Sequence, residues 1–476
     1  MSSQRKSQSG FQITVPGRNW VQAGIVAAAL VLSIAAAYWG SIKVHILLLV
    51  ALAGTGSLLA LLYHPPLGLI LIMVAGMFIP FKGPGGLNAS ILSVILVFAL
   101  WLLDMFVVKR EFRFVRSRAL RPAVLFMGVC ILAFALGQIP WFIFANQAPL
   151  DAQIGGFAIY FFLLGSMVMT AHLISDIRWL KGMLWLFTGL GYAYVFGRVL
   201  GLSFIDKLFQ HGVYANSIFW MLLICLPLSQ AIFNHDLKPR LRILLFVLVG
   251  SAFYVGMTQQ GDWKSGWVPA AAAAGVLAAL RFKRLIPLAI PVGIAIAAYL
   301  SRDLISTDLY SWGTRLDAWI IVLQISKVSP IIGMGFANYY WYAPLFPIRG
   351  YAIRFNSHSQ YVDIIAQTGI LGLLCFFWLL YEVGRLAWRL GKELPDGFSK
   401  AYSHGIFAGI FGALMASFLV DWLLPFAYNI GLEGARGSVM LWIFFGGLVS
   451  LEQMHIAGQK SAVELAPGET NALPSR

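Results

Sequence analysis

Apolar runs of membrane-spanning length recur from Trp20 to Glu452, with only short polar gaps between them. A bilayer needs about 17–25 mostly apolar residues for each helical crossing. Hydrophobic residues make up 59% of the chain, charged residues 11%, and mean hydropathy is +0.79. Such values exclude a string of soluble domains, whatever the chain length. The fold class they predict is all-α: a polytopic membrane protein with about 14 transmembrane helices and one large extracytoplasmic loop containing short helices.

The spans fall at roughly 20–39, 44–62, 66–81, 89–108, 122–138, 154–173, 182–200, 214–233, 242–257, 265–280, 285–300, 361–381, 403–421 and 437–452. Pro65-Pro66, Pro80, Pro140, Pro239 and Pro395 mark their ends. The first run is long for a signal peptide and has no clear small-residue cleavage site, so it is retained as a span. The domain plan is a tail at 1–18, a membrane domain at 19–452 and a second tail at 453–476. No internal repeat is present.

Charge gives the orientation. Basic residues crowd into every second gap: Arg5 to Arg18, Lys109 to Arg121, Arg178 and Lys181, Lys238 to Arg242, Arg281 to Arg284, and Arg385 to Lys400. By the positive-inside rule these gaps and both termini are cytoplasmic. The net charge of +15 is mostly this topology signal. It does not indicate nucleic acid, since no basic–aromatic recognition motif accompanies it. Cys130, Cys225 and Cys375 lie within spans and are expected as small buried apolar residues, with no disulfide or metal spacing.

The same alternation turns the long polar interruption at 301–360 outward. Non-helical polar backbone at a membrane must lie in water or inside protein. A loop of this length without disorder composition points to function. Four basic or titratable side chains are placed on this outer face: Arg198 at the end of the seventh span, Lys264 in Trp263-Lys264-Ser265-Gly266-Trp267, Arg315 in Arg315-Leu-Asp-Ala-Trp319, and His358 in Asn356-Ser357-His358-Ser359. Each has a plain alternative. Arg198 and Lys264 suit interfacial side chains reaching for headgroups. Arg315 suits the solvated face of a helix whose apolar stripe is Leu316, Trp319, Ile320 and Leu323. His358 suits an ordinary loop histidine.

The wording of the segment adds to this. Arg315-x-x-x-Trp319, Pro330-x-x-Gly333-x-Gly335, His358-Ser-Gln-Tyr361 and Gln367-x-Gly369-x-x-Gly372 occur in that order over about residues 311–373. The series resembles the O-antigen ligase and polymerase family, in which His-Asn-x-Tyr and Glu-x-Gly-x-x-Gly are the usual forms. Ser359 and Gln367 depart from those forms. Lys264 stands where the family commonly has an arginine, keeping the charge and losing the bidentate fork. Arg302, Arg349 and Arg354 are other candidates for that second arginine.

The resemblance implies a membrane glycosyltransferase of the cell envelope. It implies a glycan donor on undecaprenyl diphosphate, an acceptor hydroxyl on a glycan, a lipid-linked sugar or a protein, and a site on the outer face of the cytoplasmic membrane. Arg198, Lys264 and Arg315 would bind the donor diphosphate and stabilise its departure. His358 would act as general base, and attack from the far face would invert the anomeric centre. With no Asp-x-Asp and few carboxylates in the loop, the expected reaction uses neither metal nor cofactor. The competing class is a multi-span solute transporter. Such a protein places ionisable residues at the bilayer midplane and repeats its broken helices. Here Asp104, His172 and Glu382 fall near inner span ends.

Overall fold

The computed structural model describes residues 54–83, 86–111, 114–259, 263–285, 287 and 309–465. The expected span at 20–39, most of those at 44–62 and 285–300, and residues 301–308 with Arg302 lie outside them. The chain divides into two units, Met1–Tyr63 and His64–Arg476. One helix of the first unit is described, α1 (Gly54–Tyr63). The second contains α2 (Pro66–Phe78), α3 (Ala89–Leu103), α4 (Leu120–Leu136), α5 (Leu150–Leu173), α6 (Ile177–Val199), α7 (Ser217–Phe233), α8 (Pro239–Gln259), α9 (Lys264–Arg281), α10 (Leu309–Ile325), α11 (Gln360–Glu393), α12 (Phe398–Leu419) and α13 (Gly431–Leu465). The described residues form no strand beyond two isolated bridges, Lys82 with Asn88 and Ile348 with Tyr351.

Local sequence sets the helix starts. Pro66 occupies the first turn of α2, where a missing N–H costs nothing. Asn88, Asp176 and Asn216 cap α3, α6 and α7 by accepting from the backbone N–H of Ile91, Arg178 and Ile218. Each such cap contributes about 1 kcal/mol.

Among the described residues, six segments are long and apolar enough to cross a membrane: Ala89–Val108, Leu150–Leu173, Pro239–Gln259, Gln360–Glu393, Phe398–Leu419 and Gly431–Gln459. The apolar helices α1, α2, α4 and α7 are shorter. Each helix from α2 to α9 and from α11 to α13 overlaps one expected span. Two run well past their expected bounds: α11 into the basic gap as far as Glu393, and α13 from Gly431 to Leu465. The expected loop also holds a full 17-residue helix, α10.

Contacts sort the helix ends into two groups. At one end, Arg436 of α13 donates to the carbonyls of Ile79 and Phe81 beyond α2. Asn338 donates to Gly137 beyond α4, and Arg315 donates to Leu419 at the end of α12. At the other end, Ser117 before α4 donates to Glu452 of α13, and Arg389 of α11 pairs with the same carboxylate. His235 beyond α7 meets Asp396 before α12. Among the described helices, α4, α12 and α13 each run from one of these ends to the other. Val439 to Phe445 of α13 are completely buried at the centre. Leu96 of α3, Leu125 of α4 and Val247 of α8 are exposed, which suits a lipid-facing surface.

One break positions the site. Gly369 lies inside α11 at φ +68°, so the helix there gives up its own ladder. The freed groups bond to the Pro330–Gly335 loop instead. Ile370 and Leu371 donate to the carbonyls of Pro330 and Ile331, while Met334 and Gly335 donate to those of Ala366 and Gln367. Backbone meets backbone so closely that a Cβ on Gly369 would collide with Ile331, and one on Gly333 with Gln367. The glycine pattern shared by the two motifs is therefore a docking requirement of the main chain.

Candidate active site

His358 sits one residue before the N-cap of α11, in the left-handed region at φ +47°. A non-glycine residue there carries about 1–2 kcal/mol of steric cost. The residues on either side hold it. Ser357 is fully buried; its hydroxyl donates to Asp363 at 2.7 Å and lies 3.0 Å from the Ser359 carbonyl. The Ser359 amide donates back to the Ser357 hydroxyl at 3.1 Å, and the Ser357 carbonyl accepts from the Trp319 indole at 2.7 Å. Tyr339 completes the shell by donating to Asp363 at 2.5 Å. Ser359, which departs from the family asparagine, uses only its backbone in these bonds.

Arg315 stands next to this loop. Its guanidinium donates to the Leu419 carbonyl at 3.2 Å and acts electrostatically on the His358 ring. Burial, then the Arg315 cation, lower the imidazole pKa to about 4, so the ring is neutral at ordinary pH. The expected apolar stripe of α10 faces the other way: Leu316, Ile320 and Leu323 are exposed. Ala318, Val322 and Ile325 are buried, and Trp319 packs edge-on against Phe418. Arg315 shares the inward side with Trp319 and Val322, four and seven residues on. It is thus not on a solvated face.

Lys264 opens α9 and is half-buried. The preceding Trp263 lies 6.0 Å from Trp422, ring centre to ring centre. The connection between α12 and α13 is therefore common ground. Arg315 touches it at Leu419, the Lys264 neighbour at Trp422, and Gln360, two residues after His358, exchanges two bonds with Leu424.

Arg198 forms a different cluster. It pairs with Asp206 at 2.7 Å and donates to Gln259 at 3.0 Å, while Tyr194 donates to Asp206 at 3.2 Å. No hydrogen bond or ion pair joins it to Arg315 or His358 among the described residues. Of the other arginines considered, Arg349 pairs with Asp317 at 2.7 Å. Asp317 lies two residues from Arg315, about 200° around the helix, so Arg349 addresses another face. Arg354 lies over the Trp341 ring, 3.6 Å from its centre.

Two buried carboxylates were not among the sequence-derived candidates. Asp363 is completely buried; one oxygen accepts from Tyr339 and Ser357, and the other has no hydrogen-bond partner. Asp421 accepts from the Phe426 amide and the Asn429 side chain, both at 2.6 Å, and burial raises its pKa. Gln367, at the family glutamate position, bridges instead: it donates to Tyr160 at 3.1 Å and accepts from the Ala337 amide at 3.3 Å. The serines flanking His358 were a visible signal for the shell, whereas the partners Tyr339 and Asp363 carried none.

The helices and their apolar surfaces define a multi-pass membrane protein. Residues 238–377 match the family model described as O-antigen ligase. The match confirms the resemblance and begins well before residue 311, so it takes in Lys264 as well as Arg315 and His358; Arg198 lies outside it. Together the matched segment and the membrane-type helices support a membrane glycan ligase or polymerase. No curated protein matches the chain.

Proposed function

We propose that the chain transfers a glycan from an undecaprenyl-diphosphate carrier to an acceptor hydroxyl, at the end of the bundle that bears His358 and on the outer face of the cytoplasmic membrane. The observation that carries this reading is the neutral imidazole held beside the Arg315 cation in a pinned loop. The acceptor oxygen attacks the anomeric carbon, its proton passes to the imidazole, and the bond from that carbon to the phosphate oxygen breaks. The diphosphate departs with the bonding electrons, and the anomeric centre inverts.

Arg315 and Lys264 bind the diphosphate and stabilise the charge that grows on it. Arg198 is the third anchor, oriented by Asp206 and Gln259 until an anion exchanges for the aspartate. Donor binding has a second effect. Once the diphosphate neutralises Arg315, one of the two influences lowering the His358 pKa is removed, and the ring becomes a stronger base when it is needed. The fixed cations take the place of a divalent ion, so the reaction is metal-independent.

The test is transfer by the purified protein from an undecaprenyl-diphosphate glycan to an acceptor glycan in the presence of EDTA. Product formation is expected. Activity abolished by EDTA and restored by magnesium would remove the metal-independent mechanism. A protein that carries out no transfer but moves solute into liposomes would overturn the assignment as an enzyme.

A further inference from the structure

At the end opposite His358, the chain encloses an open cleft of about 280 Å³. Five arginines line it: Arg116 and Arg118 from the approach to α4, Arg121 from its first turn, and Arg385 and Arg389 from α11. The carboxylates beside them are Glu382 and Glu452. Glu452 is committed, accepting from Ser117 at 2.6 Å and pairing with Arg389. Glu382 reaches Arg385 only at 3.8 Å. Among the described residues no carboxylate pairs with Arg116, Arg118 or Arg121. Five cations against two anions leave the lining at +3.

The positive-inside rule accounts for basic residues in this gap. It does not account for their gathering from two separate stretches around one cavity backed by the buried Glu452. Arg116 and Arg118 alternate with the buried Ser117 and Ala119, so both side chains reach outward from the same wall. Forked guanidinium groups fit phosphate oxygens in pairs. Tyr381 and Trp388 lie one turn to either side of Arg385 on α11, and both are exposed. An exposed aromatic flank beside a basic cleft suits a ligand with an apolar body and an anionic head.

We propose that this cleft binds a phosphate-bearing anion, the headgroup of an acidic phospholipid. It is distinct from the proposed catalytic end, since Arg385 lies 16 residues along α11 beyond the break at Gly369, roughly 24 Å at the helical rise.

The experiment is thermal unfolding of the purified full chain in detergent at about 0.15 M salt. Dioleoylphosphatidylglycerol, dioleoylphosphatidylcholine or inorganic phosphate is titrated in. Phosphatidylglycerol should raise the midpoint saturably, and phosphatidylcholine should not. In Arg116→Gln/Arg118→Gln/Arg121→Gln, half-saturation should need about 100-fold more phosphatidylglycerol, the factor expected for three such charges. Lys238→Gln/Arg240→Gln, basic residues outside the cleft, should leave the titration unchanged. If the triple variant does not fold, Arg385→Gln alone should weaken phosphatidylglycerol about fivefold. A rise with inorganic phosphate equal to that with the lipid would support the anion site with free phosphate as its source. An equal response to phosphatidylcholine, or equal weakening in the Lys238/Arg240 variant, would overturn the proposal.

Discussion

The two ends of the helix bundle treat polar side chains in opposite ways. Around His358 they are buried and bonded to one another: Ser357, Asp363, Tyr339, Gln360 and Gln367 have almost no exposed surface, and their partners come from α5, α10, α11 and the α12–α13 connection. Around Glu452 they are mostly arginines on the surface of an open cleft. Buried polar groups must be satisfied, so the first arrangement fixes the geometry of the loop that carries His358. Exposed cations hold little geometry and supply charge. The proposed reacting group lies at the first end and the proposed electrostatic contact at the second.

The largest effect should separate the ends outright. Arg315→Ala should abolish measurable transfer while the protein still inserts and accumulates, whereas Arg118→Gln at the other end should leave turnover within about twofold. Steady-state kinetics on membranes matched for protein content checks both. Comparable losses in the two variants would dissolve the distinction.

A pH profile sharpens it further. With the His358 pKa lowered to about 4, kcat/KM should stay flat on acidification to about pH 5 and fall only near 4, because the protonated ring cannot accept a proton. An ordinary exposed histidine would give that limb near pH 6.5. Arg315→Gln removes the lesser of the two causes and should move the His358 titration upward only part of the way, read from the imidazole signals by NMR.

Tyr339→Phe tests the pinned shell. It takes one donor from the buried Asp363, whose other oxygen already has no hydrogen-bond partner. A loss of about 1–3 kcal/mol is expected, visible in thermal unfolding, with turnover reduced far less than in Arg315→Ala. The smallest effect belongs to Lys264→Arg, which keeps the charge and restores the fork. Transfer should persist or rise modestly, and a strong loss would show that the lysine has a role of its own.

Much of this contrast was legible in the sequence. The ordered motifs picked out Arg315 and His358, which the fold sets side by side. The helical face of Arg315 was not legible. An apolar stripe marks the core when water surrounds a helix, but Leu316, Ile320 and Leu323 are exposed in a protein whose surroundings include lipid. The length of α11 was also hidden, because the charged residues from Glu382 to Glu393 end the apolar run without ending the helix. The Arg198–Asp206 pair and the partnership of Asp363 with Tyr339 depend on chain reversals that no local pattern encodes.

The central claim is that His358 removes the acceptor proton and does not simply hold the diphosphate. The direct measurement is single-turnover transfer by purified His358→Ala and His358→Arg proteins, with donor affinity measured on each. The account predicts that both variants bind the lipid-linked donor nearly as well as the parent and transfer it about 10²–10⁴-fold more slowly. Substantial transfer by His358→Arg, together with collapse of donor affinity in His358→Ala, would contradict it and make this residue a cationic anchor.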